Sequence, residues 1–544
     1  AAQGFVPLAV TTLALMAVTL WYLPDFLLRF LVIAAMRFFY RIRILGVGNV
    51  PVRGPALLVC NHVTWLDALL ILATQQRRVR YLMDKGMFHR WPLLTPLFKL
   101  MEVIPISSDD TPRKLIESLK TARTALEEGW LVGIFAEGAL TRSGMMMQFR
   151  PGYERIVKGL DVPLVPVFIG GAWGSIFSYQ QGRILGRMPS RIPYPVTIAF
   201  GSPLPSTAKP HELQLAVQEL SCEVFEDRKA RRRSMGEEFL RSARLCWCRI
   251  AMADTTTGKP LKFGQAAVAS FAFARAFRAR LANDEKNVGV LLPPSCGGAL
   301  TNLALMLDGR VPVNLNYTAS PSAFASALQQ AGIKTIITSK VFLEKLAGSG
   351  MALDLSVATL ELKEAVAGIT LPAKLLAFWK ARFRRIRAVR PEGFTGDTLA
   401  TIIFSSGSTA TPKGVMLSHH NLLSNIESFR SIARTTADDC MISALPFFHS
   451  FGFTCTLWFP MISGFRAAYH VNPLEAGKIG ELAGKYRGTM LMATPTFLQA
   501  YMRRVEPKDF EAMRLIFVGA EKLRPALAAQ FQEKFGVRPF EGYG

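Results

Sequence analysis

The chain has 544 residues, 50% hydrophobic and 10% aromatic, which excludes a disordered protein and leaves room for two to four domains with cores of their own. Its 64 Lys and Arg against 40 Asp and Glu give a net charge of +24, so an anionic partner is expected, with lipid or a phosphorylated substrate favoured. Nucleic acid is not expected, because no zinc-finger spacing and no RNA-binding aromatic strand is present, and the scattered Cys residues point to a reducing compartment without a metal site.

In chain order, residues 1–24 carry no charge and are long enough to be expected as a transmembrane helix, with Trp21 and Tyr22 at the interface. Residues 25–45 are apolar but hold Arg29, Arg37, Arg41 and Arg43. They are expected to lie in the membrane interface with the cations towards phosphates, which places everything after them on the cytoplasmic side. A buried soluble hairpin is the other reading of these first 45 residues. Residues 46–225 alternate short apolar runs with amphipathic stretches, the pattern of an α/β domain, with strands expected at 56–60, 131–135, 163–169 and 195–200. "DDTPRKLIESLKTARTALEEG" predicts a helix that ends at Gly129. The stretch 226–258 opens on the basic run "EDRKARRRSMGEE" and is expected to be a solvated linker. A second α/β pattern fills 259–544. Within it residues 375–390, "LLAFWKARFRRIRAVR", fit either a helix on a membrane surface or an ordinary exposed helix.

Two stretches carry chemistry. "CNHVTWLD" follows the apolar run at 56–60, so His62 emerges where a strand ends and Asp67 falls in the first turn of the next helix. A carboxylate there can bond one imidazole nitrogen and leave the other as a base. Thr64 and Asp67 also fit a helix cap, which leaves a purely structural role open. "GIFAEGALTRSG" then repeats the strand-to-turn pattern at Glu137 and Gly138, with Arg142 placed to meet a phosphate. Taken together, "NHVTWLD" and "FAEG" resemble the glycerolipid acyltransferase family, whose signatures are an N-H-x4-D block and an F-P-E-G block. The resemblance implies that His62 is the general base, that Asp67 orients it, and that Glu137 and Gly138 help bind a phosphoglycerol acceptor. "EVIPI" and "VPLVPVFI" match its weaker blocks. Ala136 stands where that family has Pro, and no Arg directly follows Gly138.

The second stretch is "TIIFSSGSTATPKGVMLSH". An apolar run leads into Ser405, Ser406, Gly407, Ser408 and Thr409 and then Lys413 and Gly414. Small and hydroxyl residues let main-chain N–H groups wrap a phosphate, to which Lys413 adds charge. It is not a Walker A loop. With "ALPFFHSFG", "VGAEKL" and the terminal "EGYG" it resembles the adenylate-forming superfamily. That implies a nucleotide pocket lined by Gly519, Ala520, Glu521, Gly542, Tyr543 and Gly544, with His449 beside the acyl-adenylate. Ala410 replaces a usual Gly.

The order of the two halves is similar to the bifunctional acyl-ACP synthetase/2-acylglycerophosphoethanolamine acyltransferase family of bacterial inner membranes. The resemblance implies ATP, Mg²⁺ and the phosphopantetheine of acyl carrier protein as cofactors. It also implies lysophospholipid, fatty acid and membrane lipid as substrates or partners. Some members of that family are preceded by a lysophospholipid transporter, so the first 24 residues are expected to be the last helix of such a transporter. "EGYG" would be cut from the Mg²⁺-binding Glu and the small C-terminal domain that come after it, so adenylation is expected to be incomplete. An acyltransferase with a non-catalytic second half, and a membrane scaffold that docks acyl carrier protein, are the competing readings.

Overall fold

In the computed structural model of the chain, residues 11, 12, 15, 24–86, 95–107, 111–179, 192–351, 353, 355–405 and 412–542 are described. They form two compact units, Ala1–Arg228 and Lys229–Gly544.

The first unit is built on a seven-stranded sheet. Its strands are β1 (Tyr40–Leu45), β2 (Ala56–Cys60), β3 (Val79–Asp84), β4 (Ile104–Ile106), β5 (Leu131–Phe135), β6 (Leu164–Gly170) and β7 (Tyr194–Phe200), in the order β1-β7-β6-β2-β5-β3-β4. Neighbours are parallel except β6 and β7. β2 shows why the sequence settles this way: every residue of "ALLVC" is buried, as expected of a central strand covered on both faces. Helices Asp67–Leu72, Pro112–Glu127 and Pro210–Lys229 add Ile71, Leu126 and Leu213 to the cores on the two sides.

Two expectations for the N-terminal region are corrected. No helix among the described residues is long and apolar enough to cross a membrane. Most of residues 1–23, where that helix was expected, lies outside the described residues. The next helix, Pro24–Phe39, has 16 residues. At 1.5 Å per residue it spans about 24 Å, short of the roughly 30 Å of a bilayer core, and its sequence includes Asp25, Arg29 and Arg37. The amphipathic segment expected over 25–45 also divides. Its last six residues, with alternating side chains, become β1 and pair with β7.

The second unit holds a seven-stranded sheet, a four-stranded parallel sheet and a hairpin. In chain order its strands are β8 (Ile250–Asp254), β9 (Leu261–Lys262), β10 (Asn287–Leu291), β11 (Val311–Asn314), β12 (Thr335–Thr338), β13 (Ala358–Glu361), β14 (Leu399–Ser405), β15 (Lys413–Ser418), β16 (Cys440–Ser443), β17 (Arg466–Tyr469), β18 (Met490–Ala493), β19 (Leu515–Val518) and β20 (Phe540–Glu541). The larger sheet runs β20-β19-β18-β16-β17-β8-β9, the smaller β11-β10-β12-β13, and β14 and β15 form the antiparallel hairpin. The stretch 226–258, expected as a solvated linker, is ordered. Helix Met235–Leu245 is capped by a reciprocal Ser234–Glu237 box and buries Phe239 and Leu240, and β8 comes next as a strand of the large sheet. Its charges are matched by distant partners: Arg232 is held by Glu427, and the stretch's own buried Glu237 carboxylate accepts from Arg390 at 3.0 and 3.1 Å.

His419 begins the helix His419–Ala433 and is almost wholly buried, its Nδ1 accepting the N–H of Met235 at 3.0 Å. Burial pulls its pKa down to about 4. The unfolded chain takes up this proton near pH 6.5 and the folded one only near 4, so the stability is complete above about pH 6.5 and is lost as pH falls towards 4. Between about pH 7 and pH 5 the loss should be roughly 2 kcal/mol. In thermal melts of the full chain, His419→Asn keeps an acceptor for Met235 and should make the affected transition less sensitive to acid.

Candidate functional site

In the first unit β2 and β5 are parallel neighbours with Cys60 opposite Phe135. His62 and Glu137 each lie two residues past those ends, so the two loops meet at one edge of the sheet. There the Nδ1 of His62 lies 2.9 Å from Oδ2 of Asp67. Asp67 is fully buried. The same Oδ2 accepts the N–H groups of Val63 at 2.6 Å and Thr64 at 2.9 Å, and Oδ1 accepts the Thr64 hydroxyl at 2.5 Å. A carboxylate in that position orients the ring and suits the tautomer with its proton on Nδ1, in which Nε2 carries the lone pair. The ring is held from below by Phe135, stacked with centroids 4.0 Å apart and planes 14° apart. Thr64 bonds Asp67 within the turn, but the helix Asp67–Leu72 has Leu66 as its N-cap without a side-chain bond, so the helix-cap reading is not met, while the imidazole bond exists.

Glu137 takes a different part from the one the resemblance implied. It is 2% exposed, and its two oxygens accept the backbone N–H groups of His62 and Met147, each at 2.7 Å. Burial raises its pKa, against the pull of those two bonds. The carboxylate thus clamps the His62 turn to the loop after β5 instead of facing an acceptor. Gly138 has φ 70°, a conformation that suits glycine, and a Cβ there would meet the Arg150 side chain at 3.0 Å. Arg142 is exposed with its guanidinium 3.5 Å from the ring centre of Tyr179. Arg150, also exposed, was missed by the sequence reading; its N–H bonds the carbonyl of Ala136, which fixes it beside the same turn. Its only local signal was a second cation, about twelve residues past Gly138, which does not by itself place it at the turn.

In the second unit the same geometry recurs on a larger scale. Thr255, Thr494, Gly519 and Gly542 directly follow the ends of β8, β18, β19 and β20, and they line a cavity of about 1500 Å³. Gly519, Ala520, Gly542 and His449 are therefore brought together at this edge. Ala520 has φ 68°, unusual for a residue with a side chain and of the kind found at ligand sites. Glu521 accepts the Thr496 hydroxyl at 2.9 Å. Burial among the cavity walls lowers the pKa of His449, although the residue keeps an exposed edge. The chain reaches it through a tight approach: at Gly452 a Cβ would stand 2.1 Å from the carbonyl of Pro446, so only glycine fits. Beyond the polar edge the walls are apolar and aromatic, with Tyr317 edge-on to Phe342 and Phe448.

The phosphate-loop candidates divide. Ser405 and Lys413 face each other as the last pair of the β14–β15 hairpin, with Gly414 next to Lys413. Ser406, Gly407, Ser408 and Thr409, like Tyr543 and Gly544, lie outside the described residues. Leu417, at the other end of β15, lines the cavity. Lys413 stands about 13 Å from it along the strand.

The family of AMP-binding enzymes matches residues 241–544, more than half of the chain. The chain belongs to the AMP-binding enzymes. The acyltransferase family matches residues 41–170, so the architecture is a fusion of an acyltransferase domain with an AMP-binding domain. Among similar proteins, a long-chain-fatty-acid–CoA ligase of Haemophilus influenzae is 27% identical over 309 residues, covering 50% of this chain and 54% of that protein. A probable 4-coumarate–CoA ligase 3 of Dictyostelium discoideum is 35% identical over 156 residues, 28% of each. The chain thus spans about half, or less, of the length of these relatives. The solved N-terminal domain of FACL13 from Mycobacterium tuberculosis matches with a TM-score of 0.49 and 20% identity, over 57% of this chain and 76% of that one. AMP-binding enzymes use ATP and Mg²⁺ in general. The small residues at 519, 520 and 542 leave the edge of β19 and β20 open to a nucleotide. A magnesium ion bound through phosphates needs only one or two carboxylates, and Glu521 stands at that edge.

If Glu137 is a clamp, Glu137→Ala strands two partly buried N–H groups. It should cost about 2–4 kcal/mol in the thermal unfolding of the full chain. Glu137→Gln, with one acceptor left, should recover part of that loss.

Proposed function

We propose that the first unit transfers an acyl group from a thioester to the free 2-hydroxyl of a lysophospholipid such as lysophosphatidylethanolamine. The donor is acyl carrier protein, through its phosphopantetheine. The second unit would make such thioesters from fatty acid and ATP by way of an acyl-adenylate. The observation that carries the transferase half is the His62–Asp67 pair. Its free Nε2 removes the acceptor's hydroxyl proton as the oxygen attacks the thioester carbonyl, and the imidazolium, steadied by Asp67, returns the proton to the departing thiolate. Arg142 and Arg150 are the exposed cations on the same loop that suit the acceptor's phosphate. In the ligase half, the fatty carboxylate attacks the α-phosphorus of ATP, pyrophosphate leaves, and a thiol then displaces AMP. Lys413 and the main chain of the preceding loop offset the phosphate charge, and the apolar cavity beside His449 suits the acyl chain. The +24 balance supports a place at the cytoplasmic face of a bacterial inner membrane and an acidic carrier as partner.

The transferase reading is tested by incubating the full chain with labelled acyl-acyl carrier protein and lysophosphatidylethanolamine. His62→Ala should lower transfer by about 10²-fold or more with an unchanged melting temperature. Transfer by His62→Ala at the wild-type rate would remove the base assignment, and transfer from acyl-CoA but not from the carrier would correct the donor. For the second unit, Lys413→Ala should weaken AMP binding, measured by calorimetry, by about tenfold.

A further inference from the structure

The helix Leu371–Phe383 in the second unit is arranged inside out. Its buried side chains are the small Ala377 and Ala381, four residues apart, while Leu371, Leu375, Phe378, Trp379 and Phe383 point outwards and are 44–68% exposed. A helix that served only to cover the core would present these large groups to it. Its position is not frayed or adjustable. Arg244 donates to the carbonyls of Ala381, Lys380 and Arg384, which satisfies the end of the helix and locks its rotation. Trp247 extends the apolar surface, edge-on to Phe378 at 5.9 Å, and Leu245 beside it is 76% exposed.

Charge accompanies this ridge. Lys374, Lys380, Arg382, Arg384, Arg385 and Arg387 lie between residues 370 and 391, and the segment contains no acid. The cations crowd one another: burial first, then Arg384, Arg278 and Arg275, pull the Lys380 pKa down, and burial with Arg382 does the same to Arg244. Such crowding costs energy in water and is relieved by an anionic surface.

We infer that the exposed face of Leu371–Phe383, with Trp247 and the cations next to it, docks the second unit on an anionic phospholipid surface. The apolar rings would enter the headgroup boundary and the Arg and Lys heads would stay among the phosphates. Five large apolar side chains presented together, next to cations with no intervening acid, favour a lipid surface over an acidic protein, whose docking would not need them bare. The inference does not depend on the chemistry proposed for either unit.

The test uses the full chain and vesicles of phosphatidylglycerol with phosphatidylcholine brominated in its acyl chains. Tryptophan fluorescence should be quenched, and Trp379→Phe should lose a distinct share of that quenching while melting at the same temperature. Arg385→Gln/Arg387→Gln, both at exposed positions, should lose Trp379 quenching and bind anionic vesicles more weakly, by about fivefold per cation. Vesicles of phosphatidylcholine alone should give little quenching of Trp379. Equal quenching in the wild type and Trp379→Phe would overturn the inference. So would an unchanged response in the double Arg variant, or a Trp379 signal that responds to acyl carrier protein and not to vesicles.

Discussion

Parallel strands in register end together, and whatever the chain does next it must do at the same edge. In the first unit the pairing of Cys60 with Phe135 brings residues 62 and 137, 75 positions apart in sequence, within a hydrogen bond of each other. In the second, β18, β19 and β20 stop side by side and deliver Thr494, Gly519 and Gly542 to one wall of a cavity. The sites follow from the sheets. A one-residue slip between β2 and β5 would move Glu137 off the His62 N–H and leave a buried carboxylate without its donors, so the register and the site stabilise each other.

That dependence explains what could be read from the residues. Apolar runs such as "ALLVC" and "LVGIF" are strands because a central parallel strand must be apolar on both faces, and this pattern is local. His62 and Asp67 were legible for the same reason: six residues hold the imidazole, the carboxylate bonded to it and the turn that joins them. The part of Glu137 was not legible. Its spacing in "FAEG" says that it sits after a strand, but its bonds to His62 and Met147 come from strand pairing and from a loop ten residues on, which no local pattern contains. Arg150 was missed for a similar reason, since only the fold lays it against Gly138.

The basic stretch after residue 225 shows the opposite failure. A run of Arg and Lys suggests solvent because cations are costly to bury alone. Here Glu427 reaches Arg232 and Arg390 reaches the stretch's own buried Glu237, both from more than 150 residues away, and Phe239 and Leu240 are enough to seat a helix in the core. At the N-terminal region the correction is narrower: no helix among the described residues is long and apolar enough to cross a membrane, and the helix Pro24–Phe39 leads into an edge strand.

The two sites treat charge in contrasting ways. In the first unit the anions are built in. Asp67 and Glu137 are both buried, and five N–H and O–H groups of their own loops, besides the imidazole, hold them. If His62 is the base, as proposed, little reorganisation is needed when a proton moves there, because the dipoles that would respond are already bonded in place. The second unit lines its edge mainly with glycines, an alanine in a left-handed turn and hydroxyls, with the Glu521 carboxylate beside them and Lys413 on a hairpin arm about 13 Å along the strand from the cavity wall. A ligand that brings several phosphate charges of its own is met better by open main chain and a cation on a separate arm than by fixed anions. On the proposed reading, the division follows from which partner carries the charge: the protein itself where a neutral hydroxyl is activated, and the ligand where a nucleotide is held.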